Sequence, residues 1–143
     1  MTLWRGYEIL ESLTTPTQRG TFAAFLVAEV HPFDDGNGRL TRAVMNAEYV
    51  GGDEQRAVIP TISRNGYRRA LRRLSRQDHP DLFVTYLNRV RRWTARMDWS
   101  NLAGSRQLLD RTHAFVDANN AEDRGLQLLD PTANQPGFSV GVR

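Results

Sequence analysis

Apolar residues recur along most of the chain three or four positions apart, the spacing of a helix with one buried face. Leu3 to Leu13 reads as a first helix, followed by a Thr-Thr-Pro turn. Thr15 and Pro16 suit an N-cap and a first helical position. They open a run, helix-like over Gln18 to Val30, in which Phe22, Phe25, Leu26 and Val30 face a core. That helix is expected to end near His31-Pro32, because the residue before a proline avoids helical backbone angles. Leu40, Val44, Met45 and Ala47 then predict a helix over 39–50, with Gly51 as its stop and Gly51-Gly52-Asp53 as a turn. Ala57 to Ile59 is a short β-like stretch. Helices follow over 64–76, with Tyr67, Ala70, Leu71 and Leu74 as the buried stripe, over 80–97, and over 101–116 with Ser100 as cap. From Asp117 onward Asn, Asp, Gly and Pro accumulate without periodicity, which predicts an irregular tail over 117–143 behind a single mainly α domain over 1–116.

Composition supports that reading and narrows it. A chain of 143 residues, 40% of them hydrophobic, is long enough for one domain with a real core. There are no cysteines, so disulfides and thiolate zinc sites are excluded. Met1 to Leu13 carries Arg5, Glu8 and Glu11, unlike a secretory leader. The longest apolar run, Thr21 to Val30, contains Glu29 and is too short to span a bilayer. A cytoplasmic protein with no membrane contact is expected.

The densest chemistry lies between the second and third predicted helices. His31-Pro32-Phe33-Asp34-Asp35-Gly36-Asn37-Gly38-Arg39-Leu40-Thr41-Arg42 combines a base, a carboxylate, a glycine turn and two guanidiniums. Gly36 and Gly38 can take positive φ, and consecutive amides in such a turn form a nest for phosphate oxygens. The turn feeds a helix N-terminus, where open amides and the helix dipole favour anions. Arg39 and Arg42, spaced i,i+3, are neighbours on that helix and can reach one polyphosphate. Asp35, beside the nest, suits Mg²⁺, which takes one or two carboxylates together with phosphate oxygens and water. Imidazole is the side chain suited by type to accept a proton near neutrality, which makes His31 the candidate general base. Phe33 offers an apolar ring to anchor the loop in the core.

The string His31-x-Phe33-x-Asp35-Gly36-Asn37-Gly38-Arg39-x-x-Arg42 resembles the catalytic motif of the Fic (Fido) family at every defining position. The resemblance implies a helical Fic-type bundle and transfer of AMP from ATP to a hydroxyl of a protein target. It casts His31 as base, Asp35 as Mg²⁺ ligand, Gly36, Asn37 and Gly38 as the phosphate loop, and Arg39 and Arg42 as phosphate partners, with Arg42 on the γ-phosphate. Tyr67 is the candidate for an adenine contact, with a core tyrosine as its plainer reading. The family's β-hairpin flap and first helices have no counterpart in the thirty residues before His31. No inhibitory Ser/Thr-x-x-x-Glu-Gly/Asn string occurs either. A partner that supplies a flap or inhibition, or a homo-oligomer, is therefore expected. Two alternatives remain: a truncated, non-catalytic nucleotide-binding or assembly module, and a Doc-like phosphotransferase. Retention of Gly38 favours AMP transfer over the latter.

All nineteen basic residues are arginine and the formal net charge is +3. Arg64, Arg68, Arg69, Arg72, Arg73 and Arg76 cluster on one predicted helix. A solvated face explains them most simply, and nucleic acid is not expected as a partner. His79, His113, Trp4, Trp93 and Trp99 read as structural or interface residues. A Ca²⁺ loop starting at Asp34 fails, because its third and twelfth positions are Gly36 and Met45.

Overall fold

A computed structural model describes residues 2–77 and 79–133. They form seven α-helices, a single 3₁₀ turn and no strand, so the fold is mainly α. The chain divides into two compact units at Ala57–Val58.

In the first unit α1 (Leu3–Ser12) is capped by Thr2, whose hydroxyl accepts from the Arg5 amide. Helix α2 (Pro16–Val30) opens with a capping box: Thr15 accepts from the Gln18 amide at 3.2 Å, and Gln18 accepts from the Thr15 amide at 3.4 Å. Helix α3 (Asn37–Gly51) runs back against α2 as a helical hairpin. Its buried row is Asn37, Thr41, Met45 and Tyr49, one residue every fourth position. The expected face differs: Ala47 is exposed, because the buried row begins with two polar residues that hydrophobic periodicity passes over.

Small residues let these helices approach. A methyl group on Gly20 of α2 would lie 2.4 Å from the Tyr49 ring and 2.9 Å from the Met45 carbonyl. Consequently Ala23, Ala24, Leu26 and Val27 are buried, while Phe22, Phe25 and Val30 are only partly so. Arg19 ties the three helices together. Its Nε donates to Glu48 at 2.6 Å, one Nη donates to the Leu10 carbonyl at 2.9 Å, and the other reaches Glu11 at 3.4 Å. Hydrogen bonding to Glu48 raises the Arg19 guanidinium further above its already high range.

The β-like stretch expected over Ala57 to Ile59 is neither helix nor strand. Ala57 is held by the Asn46 side chain through both its amide and its carbonyl at the end of the first unit, and the Val58 amide donates to Thr94 in the second. Side chains satisfy this backbone, so no partner strand is required. A 3₁₀ turn (Thr61–Ser63) leads into α4 (Arg64–Gln77), which packs on α5 (Pro80–Arg96). Helix α5 buries Phe83, Tyr86, Leu87, Val90, Trp93 and Thr94. The Tyr67 ring of α4 lies 5.7 Å from Phe83 and 5.9 Å from Tyr86, centroid to centroid. Trp93 is the core tryptophan, with Met97 and Ala114, whereas Trp4 and Trp99 are exposed.

Helix α6 (Leu102–Arg111) is capped by Asn101 and stops five residues before the expected Val116. His113 takes a left-handed backbone at φ 64°, its amide donates to Asp110 and the Ala114 amide donates to Leu109. That is a Schellman termination, usually marked by glycine; histidine in its place hides the stop. The expected irregular tail likewise contains a helix, α7 (Ala118–Asp123), capped by Asp117 and burying Ala118 and Ala121. Six residues are too few for a periodic signal. The tail from 134 to 143 lies outside the described residues.

Candidate functional site

The loop between α2 and α3 is built from its two ends. Helix α2 closes with the His31 amide donating to the Val27 carbonyl at 3.0 Å, and His31 itself adopts a left-handed backbone at φ 50°, ψ 56°. An L-residue there costs roughly 1–2 kcal/mol, and glycine would sit more easily. Capping alone does not explain a histidine at this position. Its side chain is exposed, with no hydrogen-bond partner among the described residues.

At the other end Gly36 has φ 84° and serves as N-cap of α3 without any side-chain cap. Helix α3 begins at Asn37, two residues earlier than expected, so the glycine turn is continuous with its first turn. The Gly36 carbonyl accepts from the Arg39 and Leu40 amides, each at 2.9 Å. The Asn37 and Gly38 amides stand ahead of those bonds, among the groups a helix N-terminus leaves open. Only Gly36 takes a positive φ; Gly38 is helical.

Both guanidiniums lie over these glycines. A methyl group on Gly36 would sit 3.5 Å from Arg39 Nη2, and one on Gly38 would sit 3.6 Å from Arg42 Nη1. The latter is ordinary van der Waals contact, so no protein atom forbids alanine at 38. Lack of a side chain there instead leaves the helix end open to a ligand.

Asn37 works in two directions. Its side chain, only 4% exposed, accepts from the Phe33 amide at 3.1 Å and donates to the Phe33 carbonyl. Beneath it the buried Thr41 hydroxyl donates to the Asn37 carbonyl at 2.8 Å. The side chain therefore staples the loop, and the backbone amide is what Asn37 can offer an anion. Thr41 carries no hydrophobic signal of its own; the buried row 37, 41, 45, 49 is what marks it. Phe33 reverses its expected role: the residue is 58% exposed, and its backbone anchors the loop because Asn37 grips both its amide and carbonyl.

Asp35 and Arg39 pair at 3.3 Å with side chains 94% and 77% exposed. Such a pair is worth about 0–1 kcal/mol, so a ligand that attracts either member can separate them. Among the described residues no group of three or more acidic or histidine side chains could hold a metal ion. Asp35 fits Mg²⁺ as a single carboxylate, with phosphate oxygens and water completing the shell. Tyr67 belongs to the second unit, where its ring is packed between Phe83 and Tyr86.

The fold and loop define a mainly α protein with an open helix N-terminus flanked by two arginines and an exposed imidazole. Within it, residues 2–49, about a third of the chain, match the model of the Fic/DOC family. That match spans α1, α2, the loop and most of α3. No curated protein and no solved structure matches the chain.

Proposed function

We propose that the chain is a Fic-type transferase that moves AMP from ATP to a hydroxyl side chain of a target protein. The observation that carries this reading is the pair of guanidiniums over Gly36 and Gly38 at the open end of α3. Two planar cations beside the open amides of one helix end suit a polyphosphate better than a single anion. The Fic/DOC match over the same segment supports nucleotide-dependent transfer as the reaction class.

In this reading His31 accepts the proton of the target hydroxyl as its oxygen bonds to the α-phosphorus. The bond from that phosphorus to the β-phosphate oxygen breaks, and pyrophosphate leaves. Arg39, Arg42 and the Asn37 and Gly38 amides meet the charge that develops on the departing phosphates. Asp35 would hold Mg²⁺, whose charge offsets that of the triphosphate when bound. The cytoplasm, with its supply of ATP, is the proposed site of action. No helix among the described residues is long and apolar enough to cross a membrane.

The test uses purified chain, Mg²⁺ and ATP labelled at either the α- or the γ-phosphate, with a lysate as source of targets. Incorporation of the α-label alone is the expected result. Incorporation of the γ-label instead would make the protein a Doc-like kinase, and incorporation of neither would overturn transfer.

A further inference from the structure

The two units differ sharply in charge. Residues 1–57 hold five arginines against eight carboxylates and residues 58–143 hold fourteen against eight, formal charges of −3 and +6 that make up the chain's +3. Much of the excess sits on α4, which has six arginines and no acidic residue in fourteen positions. A merely solvated helix gains from interleaved signs. Here like charges meet at i,i+4 in the pairs 64/68, 68/72, 69/73 and 72/76, each of them mildly destabilising.

The structure sorts these arginines into two sets. Arg64 pairs with Asp117 at 3.2 Å and Arg69 with Glu122 at 2.9 Å, both acids belonging to α7 or its cap. Arg68, Arg72, Arg73 and Arg76 are exposed and have no acidic partner among the described residues; Arg72 reaches only the Arg68 carbonyl, at 3.4 Å. Eight residues separate Arg68 from Arg76, so this set extends along about 12 Å of helix.

We propose that this face of α4 is a docking surface for the phosphate backbone of a nucleic acid, gripped by Arg68, Arg72, Arg73 and Arg76. Charge complementarity identifies an anionic partner, and the rest of the face identifies its class. Besides arginine, the exposed positions of α4 hold only Ser75 and Gln77. Protein interfaces draw their energy from buried aromatic and apolar anchors, and none is present here. A phosphate backbone needs only cations spaced along it, and planar guanidinium forks suit its oxygens. This departs from the solvated face expected from sequence, where the answered and unanswered arginines could not be told apart.

The experiment measures anisotropy of a short fluorescein-labelled DNA duplex of arbitrary sequence, titrated with the whole chain. Binding should be independent of sequence and should weaken roughly a hundredfold between about 50 and about 200 mM salt, as four released counterions require. Replacing Arg68, Arg72, Arg73 and Arg76 together by Gln should abolish most of that affinity and flatten the salt dependence, with circular dichroism unchanged. Arg72→Gln with Arg76→Gln alone should remove about half the salt slope. No binding at low salt, or full binding by the fourfold variant, would overturn the proposal. So would displacement of the duplex by polyglutamate as readily as by unlabelled duplex, which would reassign the face to an acidic protein.

Discussion

Arginine does different work at the loop between α2 and α3 and between the packed elements of the second unit. In the first, Arg39 and Arg42 lie over glycines at a helix end, and their nearest acidic neighbour is an exposed carboxylate that holds one of them weakly. In the second, Arg64, Arg69 and Arg96 are met by Asp117, Glu122 and the buried Asp130. In the proposed reading the same side chain is a ligand site where it lies beside open backbone amides, and it is a tie-bar where a carboxylate answers it. What decides is the surrounding backbone. Asn37 and Thr41 fix the loop from beneath, which leaves the groups above it unspent on the fold.

The histidines repeat the contrast. His31 and His113 both occupy left-handed positions at helix ends. The ring of His113 is bonded to the Gln127 carbonyl at 3.0 Å, whereas the ring of His31 faces solvent. The comparison breaks most visibly at His31. His31→Gly should lower transfer roughly 10²–10⁴-fold while leaving stability equal or higher by about 1 kcal/mol, because glycine relieves the left-handed strain. Label incorporation and urea melts on the same preparation read the two effects separately. Loss of stability would mean that the imidazole serves the fold.

Next in size, Arg42→Ala should reduce transfer roughly 10²–10³-fold, about 2.7–4 kcal/mol of lost charge stabilisation. Arg69→Ala, which loses an exposed pair worth about 0–1 kcal/mol, should leave transfer intact. Equal losses in both variants would end the distinction between ligand-facing and structural arginines.

Gly20→Ala probes the packing of α2 against α3 at the end of the hairpin away from the loop. Its methyl group would meet the Tyr49 ring and a backbone carbonyl, so overpacking should destabilise the first unit by about 1–3 kcal/mol in thermal melts.

The smallest effect concerns Asp130. Burial pushes its carboxyl upward, but hydrogen bonds from the Thr132 hydroxyl and amide, together with the charge of Arg96, outweigh burial and leave it below the ordinary value of 3.8. A carboxyl lowered in the folded state stabilises above its unfolded value, and that stability is lost as pH falls through the folded one. Asp130→Asn should therefore cost roughly 1–2 kcal/mol at neutral pH, with the gap from wild type closing below about pH 4. A gap that persists in acid would assign the effect to packing.

Most helices are legible in the sequence, their ends unevenly. Thr15-Pro16, His31-Pro32 and His79-Pro80 mark boundaries because proline constrains its own φ and its predecessor. The end of α6 and the whole of α7 escaped, one because histidine occupies a position usually given to glycine, the other because it is shorter than two turns. At the site, residue types announced an anion loop, but not how it is supported. Polar Asn37 and Thr41 on a buried row carry no hydrophobic signal, and Phe33 looks like an anchor to any reading of types alone.

The left-handed cap at His31 also carries a geometric consequence. Because this residue ends α2 directly, the departure direction of its side chain is inherited from the phase of that helix, with only two side-chain torsions left to adjust. Aim is thereby set by residue count. Removing one residue from the middle of α2 would swing the imidazole through about 100° around the helix axis while leaving every atom of the loop's composition in place.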